Sequence, residues 1–158
     1  MGAKHRRNTV VSMMAAGVLL IGCGGGGGDA APPAPPAAAA DELTAFQLEH
    51  GIGPITEPMT LPDAIDAALA ARGDTIFAQK CSACHKMAEK YIGPELGTVL
   101  DRRTPAFVMN MILNPQEMIE KHPVVKQLLA ETMSFMANQG LTREDARAVV
   151  EYIRTQHP

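Results

Sequence analysis

Beyond residue 22 the chain has no apolar run near the ~20 residues that cross a bilayer. Nor does it hold an alternating apolar and polar stretch of strand length, so helices must build any core. Lys and Arg collect on no segment, which excludes nucleic acid as a partner. Between Asp41 and Ala71 there is no Lys or Arg at all, against six acids: Asp41, Glu42, Glu49, Glu57, Asp63 and Asp66. From Arg72 to Pro158 the 11 basic and 10 acidic residues nearly cancel. Cysteine is equally sparse, with Cys23, Cys81 and Cys84 making up the whole supply.

Two of those cysteines stand in Cys81-Ser82-Ala83-Cys84-His85. This spacing lets two thiols bond the two vinyl groups of one haem while the adjacent imidazole reaches its iron. Structural zinc would take four good ligands, and Cys23 lies too far upstream to be one. A thioredoxin-like pair would sit in a strand-helix-strand pattern, which is missing here. One covalent haem c is therefore the cofactor this motif implies.

At the N-terminus, Lys4, His5, Arg6 and Arg7 precede the apolar run Thr9 to Ile21, the pattern of an export signal over residues 1–22. Leu20-Ile21-Gly22-Cys23 resembles the lipobox of bacterial lipoproteins, which implies lipidation of Cys23 and a place on the periplasmic side of a bacterial membrane. With Cys23 given to lipid and Cys81 and Cys84 to haem, none remains for a disulfide. Residues 23–40, rich in Gly, Pro and Ala, read as a disordered tether that buries nothing. Residues 41–71 read as an arm lying against a domain spanning 72–158.

Helix signals follow in order. A short helix is expected around Leu43 to Glu49, another over Asp63 to Ala71 ending at Gly73, and a third capped by Asp74 and running into the cysteine motif. Thr104-Pro105 opens a helix to about Leu113 that stops at Asn114-Pro115, and Pro123 opens one to about Ala130. Thr142 with Asp145 caps the last, whose Ala146, Val149, Val150 and Ile153 share a face. The result is an all-α domain of four to five short helices around one haem.

In Gly73 to Phe77, the attachment motif, Gly93-Pro94-Glu95-Leu96, a late methionine and a closing helix with Tyr152, the chain resembles the class I c-type cytochromes over roughly Arg72 to Gln156. The resemblance implies His85 as proximal ligand, with the Pro94 carbonyl accepting its ring N–H. Arg102 takes the position of a haem-propionate partner, with Arg103 able to substitute. In that family the second ligand lies shortly before the cap of the last helix, as Met136 does here. The usual Met-Pro pair is Met-Ala in this chain, which keeps Met133 as the alternative. Met87 is too near the proximal side, and Met109, Met111 and Met118 belong to the Thr104 helix or its end. His50, His122 and His157 read as surface histidines. Gly73 implies a close helix crossing, with Phe77 against Tyr152 and Val149. The same resemblance implies a monomeric, membrane-tethered electron carrier rather than an enzyme. Its redox partner proteins are a membrane respiratory donor and an exported terminal reductase or oxidase. A haem enzyme or gas sensor with an open iron position is the alternative, as is a fixed haem subunit of a larger oxidoreductase.

Overall fold

A computed structural model describes residues 42–157. The expected export signal, the expected tether and Cys23 lie outside the described residues. Within them run seven helices and no strand: α1 (Ala45–His50), α2 (Ala67–Lys80), α3 (Val99–Arg102), α4 (Pro105–Leu113), α5 (Pro115–Lys121), α6 (Pro123–Thr132) and α7 (Arg143–Thr155). None of these is long and apolar enough to cross a membrane.

Residues 67–80 form one helix where two were expected. Asp66, not Asp74, is its cap, accepting from the Leu69 N–H at 2.9 Å. Gly73 lies inside it, buried. An interior glycine costs a helix about 1 kcal/mol, but here α7 crosses so near that a Cβ on Gly73 would lie 2.8 Å from the Tyr152 Cβ and collide with the Ala148 carbonyl. The two helices pack along this crossing, with the Phe77 and Tyr152 rings 5.4 Å apart. Ile55, Phe77, Ala106, Met109, Val149 and Ile153 share the main core.

The capping box expected at Thr142 is present, with the Thr142 hydroxyl accepting from the Asp145 N–H and the Asp145 carboxylate accepting in return. The Thr142 N–H and hydroxyl, then the Arg72 guanidinium, hold the Asp145 carboxyl below its usual range. A carboxyl lowered by folding contributes stability above its unfolded pKa and loses it as pH falls through the folded value. Thr142→Ala should thus cost about 1 kcal/mol near neutrality. In denaturant titrations its deficit should shrink as the pH drops below ~4.

Glu151 is fully buried yet charged on both sides: Arg147 and Arg154 pair with its two oxygens, and the Asp66 N–H donates to it at 2.8 Å. An unpaired carboxylate there would cost several kcal/mol. Arg154 also donates to the carbonyls of Pro62 and Asp63, so α7 holds the approach to α2.

Residues 42–61 lie over α4, α5 and α6. The buried Asn110 side chain accepts from the Ile55 N–H (2.9 Å) and donates to the carbonyls of His50 and Ile55 (both 3.0 Å). His50 and His122 are buried rather than on the surface. His50 bonds the Thr104 hydroxyl through Nδ1, and His122 bonds the Leu48 carbonyl through Nε2 while stacking edge-on to Phe107. Burial in this apolar junction lowers the His122 pKa. His157 alone is exposed as expected. Helices α3 and α5 go beyond those expected. Pro115, read as a stop, also takes the first position of α5, where its missing N–H goes unused.

Candidate haem site

Cys81 caps the C-terminus of α2. The Cys84 and His85 N–H groups both donate back to its carbonyl (3.0 and 2.9 Å), folding the motif into one tight turn. From His85 the chain loops outward and comes back so that residues 93–97 run alongside residues 84–87 in the same direction. The Gly93 N–H donates to the Cys84 carbonyl (2.8 Å), Leu96 to Lys86 (3.0 Å) and Gly97 to Met87 (2.9 Å). That return puts the Pro94 carbonyl 3.0 Å from His85 Nδ1, so an N–H there donates to it and leaves Nε2 with its lone pair. It also lays Gly93 flat on the imidazole, where a Cβ would stand 2.5 Å from Cε1. Gly93→Ala should displace the ring. Its ferric absorption spectrum should show a high-spin fraction that wild type lacks.

Cys81, Cys84, His85 and Pro94 line one cavity of about 300 Å³. Its walls are apolar: Phe107, Val108 and Ile112 from α4, Val125 and Leu128 from α6, Val149 and Ile153 from α7. Met136 lines the same cavity from the segment between α6 and α7. Met133 does not; it is 87% exposed. Arg102 stands at the rim, but its guanidinium already pairs with Glu95 and donates to the Thr98 hydroxyl at 2.9 Å. The same guanidinium holds the Glu95 carboxyl below the usual carboxylate range. Arg103 lines the cavity too and covers the Phe107 ring at 5.3 Å.

These residues fit a haem and fit zinc poorly. Among the described residues, no three Cys, His, Asp or Glu side chains converge as a metal cluster would. The two thiols and the imidazole are instead spread along one wall of an apolar cleft, as a flat macrocycle bonded at two edges and at its centre requires. Before haem is attached, burial, then the neighbouring Cys84, pushes the Cys81 thiol up to about 11.

Residues 70–157 match the cytochrome c family model. The chain belongs to the cytochrome c family. As such it carries covalently attached haem c and serves one-electron transfer; members of this family are generally carriers rather than enzymes. Its fold is similar to that of a solved cytochrome c from Rhodothermus marinus, with a TM-score of 0.66 and 44% identity, covering 70% of this chain and 94% of that one. An engineered form of that protein, Rma TDE, is similar at a TM-score of 0.65 and 44% identity, covering 70% of this chain and 95% of that one. Another structure of Rma TDE, bound to a carbene intermediate, matches at a TM-score of 0.63, again with 44% identity and covering 70% and 95% of the two chains. No curated protein matches this chain.

Sequence reasoning about this cytochrome c named the ligand-bearing residues but not the walls of the cleft. The apolar run of α4 was legible as a helix, and its spacing does not distinguish positions facing the core from those facing a cofactor. Ile92 and Ala137 also line the cleft, whereas Met87 packs on the core. Glu95 as the partner of Arg102 was also missed, although their separation across α3 offered a signal.

Proposed function

We propose that this cytochrome c is a lipid-anchored, monomeric carrier on the periplasmic side of a bacterial membrane. It passes single electrons from a membrane respiratory donor to an exported terminal reductase or oxidase. The observation that carries this reading is the pairing of His85 and Met136 on one apolar cavity, with Met133 excluded from it. Haem bound there supplies a one-electron couple. Cys81 and Cys84 would hold its edge and His85 and Met136 would bind its iron, while the Pro94 carbonyl fixes the tautomer of His85. The apolar walls exclude water and favour the less charged, reduced state.

A filled sixth position closes the iron to substrates. That separates the carrier from a haem enzyme or sensor, the reading that the carbene-bound Rma TDE brings to mind. Exposing the mature ferrous protein to carbon monoxide tests this: the carrier reading expects no spectral change on mixing, and an immediate shift would favour an open position. For the anchor, growth with labelled palmitate should mark the wild type and leave Cys23→Ser unlabelled. Label in neither would remove the membrane tether from the account.

A further inference from the structure

Among the described residues, one buried side-chain polar atom has no hydrogen-bond partner: Nδ1 of His122, a residue fully shut off from solvent. The other ring nitrogen, Nε2, lies 3.1 Å from the Leu48 carbonyl of α1. A carbonyl only accepts, so in the neutral ring Nε2 carries the hydrogen and Nδ1 keeps the lone pair. A second proton would arrive at Nδ1 and find no acceptor.

No neighbouring element offers that proton a counter-charge. On α1, the Glu49 carboxylate lies 3.8 Å from His50, whose Nδ1 already meets the Thr104 hydroxyl. On α5, Glu117 is bonded to Lys121 at 2.8 Å and Glu120 is exposed, as is Lys126 on α6. Arg103, just ahead of α4, is the charge that acts on the ring, and it adds repulsion to the larger effect of burial.

What His122 holds down is the arm. Its Ile52 N–H donates to the Met118 sulfur at 3.0 Å, and a Cβ on Gly51 or Gly53 would stand 2.9 Å from Met118 Cε or 2.5 Å from Asn110 Oδ1. This close fit seats Ile52 on Phe107, Met118 and Val125. Phe107 and Val125 also line the haem cavity, and the Phe107 ring meets His122 edge-on with centroids 5.1 Å apart. The arm therefore backs one wall of the cavity from outside.

We propose that residues 42–61 form an acid-released latch: a proton on His122 Nδ1 frees the arm from α4, α5 and α6, and its release opens the haem cavity to small ligands. The step from arm to ligands rests on the carrier reading, in which the sixth position is filled; release of the arm does not. Latched, the ring resists the proton, whereas released it sits in water with an ordinary pKa of ~6.5. The released form thus binds more protons, so the latch holds above that pH and weakens as the pH falls below it.

Hydrogen exchange on the holoprotein, corrected for the intrinsic pH dependence of exchange, tests the latch. Protection of the Ile52 and Ile55 amides should fall by about 30-fold from pH ~7.5 to ~5, the factor by which a solvated imidazole gains protons over that span. The Val149 and Val150 amides of α7 should stay protected. His122→Gln keeps a donor for the Leu48 carbonyl and cannot titrate, so its arm should stay protected at both pH values. If glutamine fails to seat the arm at all, NMR titration of the wild-type His122 ring decides, since its midpoint must coincide with the loss of arm protection. Wild-type arm protection that ignores pH would overturn the latch, as would an equal loss in His122→Gln or a ring that titrates while the arm stays protected. Ferrous wild type should also bind carbon monoxide at least ~10-fold faster at the lower pH, and His122→Gln at one rate. A wild-type rate unmoved while the arm opens would overturn the link to the cavity. Immediate binding at pH ~7.5 would instead sink the carrier reading, with arm protection still deciding the latch.

Discussion

Met136→Ala should turn the ferric protein from low-spin to predominantly high-spin and abolish the weak long-wavelength band of a thioether-bound iron. It should also lower the reduction potential by on the order of 100 mV, a modest part of the ~0.8 V range that axial ligands span. The sign follows from the sulfur: a soft, neutral ligand favours the ferrous state, and water in its place does so less. Met133→Ala is the matched control, because Met133 is 87% exposed and stands off the cavity. Absorption spectra and potentiometry on the two variants settle the assignment. If only Met133→Ala disturbs the spectrum, Met136 is not the ligand.

Gly73→Ala should be strongly destabilising, lowering unfolding stability by about 3 kcal/mol in guanidinium titrations. Adding one methyl normally helps a helix by about 1 kcal/mol. Here that gain is overwhelmed, because the obstacle is the Ala148 backbone carbonyl of α7 and not the end of a flexible side chain. To make room, α2 must shift against α7, opening the contact between Phe77 and Tyr152. Since α2 ends at Cys81, the same shift moves the attachment turn, and weaker haem retention during maturation should accompany the loss of stability. A variant as stable as wild type would show that the helices can separate at little cost.

The short-range features of this chain were legible because their causes are local. Thr104 before Pro105, Thr142 before Asp145 and the spacing of Cys81, Cys84 and His85 each carry their own geometry, and the structure contains those elements. What stayed hidden depends on distant partners. Gly73 reads rightly as a close crossing with the last helix but wrongly as a helix end, because a glycine's local signal does not show that packing against α7 carries α2 straight through it. Pro115 reads as a stop because the proline that ends one helix and the proline that begins the next look alike. His50 and His122 looked like surface residues, yet each is buried by the arm, whose hold on Asn110 spans more than fifty residues of chain. In the haem cleft the same division holds: the residues of the motif and the loop after it could be named, while the α4, α6 and α7 side chains that close the pocket emerge only from packing.

The most direct test of the whole account is the intact mass of the mature chain after acid-acetone extraction, followed by peptide mapping. A protein that stays red, retains the mass of one haem and carries it on the peptide holding Cys81 and Cys84 is the predicted result. Colourless protein whose mass is that of the polypeptide with both thiols free would contradict it.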